Sequence, residues 1–492
     1  MVHAIQAAVF LIIRSVYLLF FHSLSKVPGP RHYAVTDVFY LYHWIIGDWH
    51  TMLKGFHDKY GPIVRFGPYD ISTISPESWK IIYGHKTDSS RTFDKDLRSQ
   101  TETISGTPHI IMANNEDHKR MRRTMAHAFS EKALRGQEDV IQRYTSLLLS
   151  KLSEKAAKGE AVDLVAWYNY TTFDLIGDLS FGKPFGCLES GQYSPLIAMI
   201  FGTIRKQPFP HALNRYPYLK PIARLFTSKR HAQDAISLFQ LSHEVAMQRV
   251  KSGNTEREDF MSYILRNNGR GKEQELSNEE ISENAVILIA AGSETTATQL
   301  SGTTFQLLTN RDKYDTLVAH IRDTFSSADK IDIVSVNQID YLLATFSEGF
   351  RMYPPVPSHL PRIVPEGGET IDGHSIPAKT SASVPQWAAF QSSQNFYEPQ
   401  RFVPERWLPN APPCFANDNR EVLQPFSFGP RNCIGKNLAY AEMRLILTRL
   451  LYSFDLELLP QSSNWSDQKM FLLWDKGEMM VKLTPRPAPA LV

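Results

Sequence analysis

The stretch "FSFGPRNCIG" (426–435) holds Cys433, one of only three cysteines in 492 residues, in a loop with Gly429, Gly435, a proline and Arg431. The following "IGKNLAYAEMRLILTRLLYSF" spaces its apolar residues as a helix does, so Cys433 stands just before a helix N-terminus. Exposed N–H groups and the helix dipole favour a thiolate at such a position. The two glycines permit close approaches that a side chain would block, and Arg431 is placed to meet an anion. Three chemistries suit such a sulfur: a redox thiol, a covalent nucleophile or a metal ligand. A nucleophile would want a base nearby in space, and no local histidine presents itself. A cysteine acting only as a small hydrophobe fits poorly with Gly, Pro, Arg and Asn on all sides.

A second group lies in "AGSETT" (291–296), where Glu294 and Thr295 sit beside Gly292 in an otherwise apolar run. Glycine, an acid and threonines are poor choices for the middle of a buried helix. Thr295 can turn its hydroxyl onto a carbonyl one turn back and bend the helix. Two readings stand: a kinked core helix with a solvent-facing glutamate, or a proton-delivering acid and alcohol beside a small ligand. A third group is "EGFR", in which Glu348 and Arg351 share a helix face at i,i+3 and can pair bidentately. An exposed pair of this kind is worth under ~1 kcal/mol. Should Arg406 of "FVPERW" join it, a buried network would tie a proline-bounded loop to the helix.

These groups need long helices to carry them. "SNEE" makes Ser277 an N-cap and Glu280 its N3 partner, a capping box that opens a helix through "ISENAVILIAAGSETTATQLSGTTFQLL" without a proline. Its apolar middle predicts a path through the interior. Helical patterning dominates from 115 to 352, and short strand-like runs such as "SASVPQW" follow. The polar stretch 266–276 reads as a surface loop. No internal repeat or low-complexity linker divides the chain, so one large, mainly α domain with small β-sheets is expected.

Composition narrows the class. A hydrophobic share of 42% and a charged share of 21% describe an ordinary globular protein, and a net charge of +2 gives no reason to expect nucleic acid. The scattered Cys187, Cys414 and Cys433 make no disulfide framework and no CxxC metal site. Residues 4–21 almost supply the roughly 20 apolar residues of a membrane span, with Arg14 in the middle. Either a short span tilts while Arg14 snorkels, or the segment lies in the interface. Pro28-Gly29-Pro30 then redirects the chain stiffly.

Taken together, "FSFGPRNCIG", "AGSETT", "EGFR" and "FVPERW" resemble the haem-binding loop, the oxygen-binding helix motif, the ExxR and the PERF segment of cytochrome P-450 enzymes, in that family's order. The likeness spans roughly residues 26–485. It implies a single large cytochrome P-450 fold with haem between the long central helix and the cysteine-loop helix. Cys433 would be the proximal thiolate ligand of haem b, with Phe426 packed on the sulfur and Gly429 and Gly435 admitting the ring. Arg431, Arg362 in "HLPRIVPEGG", and His118 and Arg122 in "EDHKRMRR" match the family's propionate contacts. Glu294 and Thr295 would relay protons during O2 reduction. The expected organisation is an anchor over 1–22, a Pro-rich hinge over 23–31, a catalytic domain over 32–485 and a disordered tail over 486–492.

The activity so implied is NADPH- and O2-dependent hydroxylation or epoxidation of a lipophilic molecule. The alternatives are an O2-independent haem-thiolate isomerase or dehydratase, and a haem-binding protein without turnover. The chain shows no flavin or nicotinamide fingerprint, so electrons would come from a separate NADPH–cytochrome reductase or from cytochrome b5. Lys119, Arg120, Arg123 and Lys436 would form the basic face that steers such a donor. An endoplasmic reticulum membrane location is implied, with the catalytic domain in the cytosol. Substrate-lining positions are expected in 103–112, around Phe201 to Phe209, in Ala290 to Thr295 and Val356 to His359, and near Leu473-Trp474. These are mostly small or apolar. "YNYTTFDLIGDLSFGKPFGCLE" (168–189) resembles fungal secondary-metabolite members, notably isotrichodermin-hydroxylase-like enzymes.

Overall fold

A computed structural model describes residues 1–99, 103, 105–204, 208–221, 229–253, 259–268 and 275–486. The tail expected over 486–492 lies outside it except for Arg486.

Six helices matter to the site: α1 (Val2–Val16), α2 (Asn115–Met125), α3 (Leu164–Phe181), α4 (Asn278–Thr309), α5 (Asp340–Met352) and α6 (Lys436–Ser453). The fold is mainly helical, with small sheets, as the sequence predicts. α4 is the axis. It opens with the expected capping box, Ser277 Oγ accepting from Glu280 N and Glu280 Oε2 from Ser277 N. It then runs for 32 residues. α3, almost wholly buried, packs along it. Gly292 makes that contact possible, because a Cβ there would come within 2.9 Å of Ile176 on α3. α5 and α6 also pack against α4. A core of aliphatic and aromatic side chains joins all of them.

A five-stranded sheet forms the other part of the fold. Its strands are β1 (Ile63–Arg65), β2 (Asp70–Thr73), β3 (Asp94–Lys95), β4 (Arg362–Ile363) and β5 (Ser381–Ser383), in the order β1-β2-β5-β4-β3. The β2–β5 pair is parallel and the others antiparallel. In the β3–β4 register Lys95 lies opposite Arg362, two like charges where sheets ordinarily avoid them. Only the first part of "SASVPQW" is strand, because a short helix, Gln386–Phe390, begins within it. The loop expected at 266–276 is likewise shorter, since the helix Phe260–Asn268 takes its first three residues, and 269–274 lie outside the described residues.

At the N-terminus α1 continues through a π-helical turn, Tyr17–Phe21. An 18-residue run within Val2–Phe21 has a mean hydropathy of 2.1 and only 6% of it is buried. Its base is docked on the domain. Arg14 Nη1 donates to Val35 O at 2.9 Å, and Arg65 Nη1 to Leu18 O at 2.8 Å. The hinge is docked too: Arg65 N donates to Pro28 O at 2.7 Å. A Cβ on Gly29 would meet Arg65 O at 2.1 Å, so only glycine fits there.

Candidate active site

Cys433 follows a tight loop whose shape comes from its own backbone. Gly429 has φ +72°, and a Cβ on it would lie 1.9 Å from Tyr83 O, so this position admits only glycine. Ser427 also adopts a positive φ, 60°, which costs a non-glycine residue about 1 kcal/mol or more. Cys433 N closes the loop by donating to Phe426 O at 2.9 Å. Arg122 of α2 clamps the next turn, with Nη1 to Asn432 O at 2.5 Å and Nη2 to Asn432 Oδ1 at 2.6 Å. Phe426 turns its ring onto Phe350 and Tyr440, 5.2 and 5.0 Å between centroids, and so wedges the loop against α5 and α6. Cys433 itself is exposed. So is Ala291 in the middle of α4, although its helix neighbours Ser293 and Glu294 are buried. Both side chains are therefore accessible rather than packed into the core. A Cβ on Gly435 would meet only Cys433 Sγ and the Phe129 ring, each at 4.0 Å.

Burial among protein atoms pushes the Cys433 thiol up from its ordinary value, against the Gly435 N–H, Arg122 and Lys436. The Gly435 N–H at the start of α6 is among the groups that favour the thiolate, as its place before the helix predicts.

Around this loop the chain gathers positive charge. Arg431 donates to Ala113 O at 2.7 Å and to Asn115 Oδ1 at 2.9 Å, which leaves its Nη1 buried and unpartnered. Arg362, with its guanidinium over the Tyr83 ring at 5.6 Å, has the same orphaned Nη1. Burial and then Arg362 hold Arg431 down at about 10. Burial, followed by Arg431, Arg122, Lys95 and Arg362, drives His118 down to about 3, so it is a neutral donor. Lys95 is pushed well below the usual lysine range by burial and then by Arg362 and Arg431. Asp94 is the nearby acid that the two arginines feel. Sequence reasoning missed Lys95. Only the β3–β4 register reveals it, and two-residue strands have no periodicity to read.

The notch in α4 separates the two residues it was expected to join. Thr295 Oγ1 donates to Ala291 O at 2.6 Å, the back-bond its position predicts, and the helix continues unbroken. Thr295 lies on the accessible Ala291 side. Glu294 points elsewhere, with Oε1 accepting from Lys476 Nζ at 2.5 Å in a pair whose side chains are each 4% exposed. It is neither solvent-facing nor hydrogen-bonded to Thr295. Lys476, in the loop after the C-terminal hairpin strand Leu473–Trp474, is a second residue that the sequence did not reveal.

The structure brings Glu348, Arg351 and Arg406 together at zero exposure. Arg351 Nε and Nη2 donate to the two Glu348 oxygens at 2.8 Å each, and Arg406 Nε donates to Oε1 at 3.1 Å. Val403 N and Trp407 Nε1 fill the remaining lone pairs at 2.8 Å, and Arg406 turns its Nη1 to Asp418 at 2.6 Å. Burial raises the Glu348 carboxyl, but Arg351 and Arg406 outweigh it and hold it below the usual range.

Other expected positions divide. Arg120 is not a free member of a basic face, because Glu280 and Asp117 take its guanidinium at 2.5 and 3.0 Å. Lys119, Arg123 and Lys436 stay exposed. Of the expected lining segments, Ala290, Gly292 and Thr295 are partly accessible along with Ala291. Ser105 and Ile110 are latched to α4 through Glu283 and Asn284. Trp474 is core, stacked on Tyr353 at 4.9 Å and donating to Pro354 O. Residues 104 and 205–207 lie outside the described residues.

A family model described as "Cytochrome P450" matches residues 28–483. The chain is 42% identical over 479 residues to the cytochrome P450 monooxygenase astJ of Aspergillus oryzae, covering 97% of this chain and 95% of the relative. It is 41% identical to the cytochrome P450 monooxygenase astA of Talaromyces wortmannii, at 98% and 96% coverage. It is also 41% identical to the trichothecene C-4 hydroxylase of Trichoderma arundinaceum, at 96% and 95% coverage.

Proposed function

The chain belongs to the cytochrome P450 family and is a monooxygenase, and we propose that it hydroxylates or epoxidises a lipophilic secondary-metabolite intermediate with Cys433 as the haem ligand. The observation that carries this reading is the pairing of an accessible thiol with a nearby cluster of buried cations, two of whose guanidinium nitrogens have no partner among the described residues.

The residues present fit haem. Two buried guanidinium nitrogens, on Arg362 and Arg431, have no partner among the described residues. Lys95 and the neutral His118 stand beside them. Four donors with one acid between them suit the two propionates of the cofactor. Gly435 leaves room next to Cys433 Sγ for a flat ring. Haem held there supplies the activation of O2, tuned by its thiolate ligand.

The rest of the work falls to the chain. The 426–435 loop fixes the sulfur through the Cys433–Phe426 backbone bond and the Arg122 clamp on Asn432. Phe426, packed edge-on to Phe350 and against Tyr440, holds the loop to α5 and α6. Ala291 leaves α4 without bulk where a substrate would lie, and the Thr295 hydroxyl is the alcohol on that face. Glu294, one residue away, is the acid that resupplies it with protons. The balanced reaction takes a C–H bond, O2, two electrons and two protons to an alcohol and water. The electrons come from NADPH through a separate cytochrome reductase or through cytochrome b5, docked on Lys119, Arg123 and Lys436. α1 and its π-helical extension anchor the chain in the endoplasmic reticulum membrane, with residues 32–485 in the cytosol.

Reconstitution with reductase, NADPH and O2 over a panel of terpenoid and polyketide compounds tests the reading. Product-linked NADPH consumption is expected for at least one. A reduced, CO-bound Soret band of the imidazole-ligated kind would sink the thiolate assignment.

A further inference from the structure

We propose that Lys476 is a positioning residue of the proton route: it holds the Glu294 carboxylate off the Thr295 face of α4, and Glu294 passes a proton inward only when this ion pair opens. The inference rests on the reading of α4 as the oxygen-side helix.

The pair is built, not incidental. Lys476 reaches in from a loop whose next two residues, Gly477 and Glu478, are exposed. The ends of that loop are pinned, since Trp474 donates to Pro354 O at 2.8 Å and Met479 N to Asp163 Oδ1 at 2.9 Å. The ammonium bridges two turns of one helix face, Glu294 Oε1 at 2.5 Å and Thr298 Oγ1 at 2.5 Å. Glu294 Oε2 is buried and has no partner among the described residues, an acceptor left unmet. The other titratable groups that feel this carboxylate are the phenols of Tyr193 and Tyr353. Tyr353 is itself fixed by donating to Gln468 at 2.5 Å. Burial raises the Glu294 carboxyl, and Lys476 and then Thr298 pull it back. Lys476 is thus the cation opposing protonation. When the pair parts, burial favours the acid form, which takes one proton from solvent. Release of that proton toward Thr295 restores the carboxylate, and closure onto Lys476 resets the pair. No electrons move in these steps.

The test uses the full-length haem-loaded enzyme and the variants Lys476→Met, Lys476→Gln, Lys476→Arg, Glu294→Gln and the double variant Lys476→Met/Glu294→Gln. Infrared titration of the carboxyl band needs no substrate. A protonated band assigned by its loss in Glu294→Gln is expected to persist about one pH unit or more higher in Lys476→Met than in wild type, a tenfold shift in proton affinity. With reductase and NADPH, peroxide released per NADPH should depend on pH in wild type. That dependence should shift with the band in Lys476→Met and Lys476→Gln and be retained in Lys476→Arg. Adding Lys476→Met to Glu294→Gln should change nothing further. An unmoved band and pH profile in both neutral variants overturns the proposal, as does an effect that survives undiminished in the Glu294→Gln background. If Glu294→Gln leaves peroxide release as in wild type, it is the reading of α4 that fails. If it raises peroxide release while the Lys476 variants do not, only the Lys476 proposal fails.

Discussion

Two clusters of charge are buried in this fold, and they are built on opposite plans. At Glu348 every polar atom is answered from within the chain: two arginines, an indole and a backbone N–H meet one carboxylate, and Asp418 takes what is left. At Arg431 and Arg362 the described residues leave the cluster incomplete. Two guanidinium nitrogens are orphaned, Lys95 faces Arg362 across a strand pair, and each cation lowers the proton affinity of its neighbours. A satisfied cluster specifies a structure, whereas an unsatisfied one specifies a ligand. The first predicts sensitivity of folding, the second sensitivity of binding.

The largest expected effect tests the satisfied cluster. Glu348→Gln leaves Arg351 and Arg406 buried without their shared anion, at about 3–5 kcal/mol. That is a large part of a typical folding free energy of about 5–15 kcal/mol. Thermal unfolding and soluble yield should both collapse, with or without added haem. An unchanged midpoint would mean that the network is ornamental. Next comes Cys433→Ala. It should abolish the thiolate spectrum of the reduced, CO-bound protein while leaving the haem-free thermal midpoint near that of wild type. Cys187→Ala and Cys414→Ala should keep the spectrum. Loss of the spectrum in either of these would break the assignment.

The unsatisfied cluster gives the sharper contrast. If this cluster holds the haem propionates, Arg362→Met and Lys95→Met each remove a charge-assisted contact worth ~1.5–3 kcal/mol. Haem affinity should fall about 10- to 100-fold, as read by transfer of haem to an acceptor protein. The haem-free protein should instead be as stable as wild type or more so, because a like-charge repulsion has gone. A variant destabilised equally with and without haem would place these cations among structural residues, beside Arg351.

These contrasts also say what a sequence can disclose. The cysteine loop, the Glu348–Arg351 pair and the capping box at Ser277 are short-range patterns, fixed by spacing on one element, and they are legible in the chain alone. Arg406 is legible there only as a candidate, since its meeting with Glu348 spans 58 residues. Lys95 and Lys476 are not legible at all. One acts through a two-residue strand and the other through a loop 182 positions from its partner. The sequence singles out Glu294 but joins it to Thr295, whereas adjacent helical residues point about 100° apart and the two side chains part company.

A smaller effect is written in pH. His118 is held down to about 3, and His50, His57, His109 and His359 to about 4, in each case first by burial. Their unfolded forms bind protons from about 6.5 downward. The folded state therefore binds fewer protons between those limits, and stability is full above about pH 6.5 and falls as pH drops toward 4. His118→Gln should flatten that fall in haem-free protein. It should flatten it less in the loaded protein if haem propionates sit here and offset the cations that depress His118. An equal change in both forms would separate His118 from the ligand cluster.

The smallest effect moves the same contrast to the surface. Arg120 is answered, by Glu280 and Asp117. Among the described residues no carboxylate pairs with the exposed Lys119, Arg123 or Lys436. If an acidic donor domain docks here, only unanswered charge should guide it. Arg123→Glu should slow electron transfer from the reductase several-fold at low salt and little at high salt, since exposed charges are screened beyond ~8–10 Å. Arg120→Ala should leave that rate and its salt dependence nearly unchanged, and should show itself instead in the stability of the α2–α4 contact. Equal kinetic losses in the two variants would mean that the donor reads net charge over the whole face, and the distinction between answered and unanswered charge would then hold only in the interior.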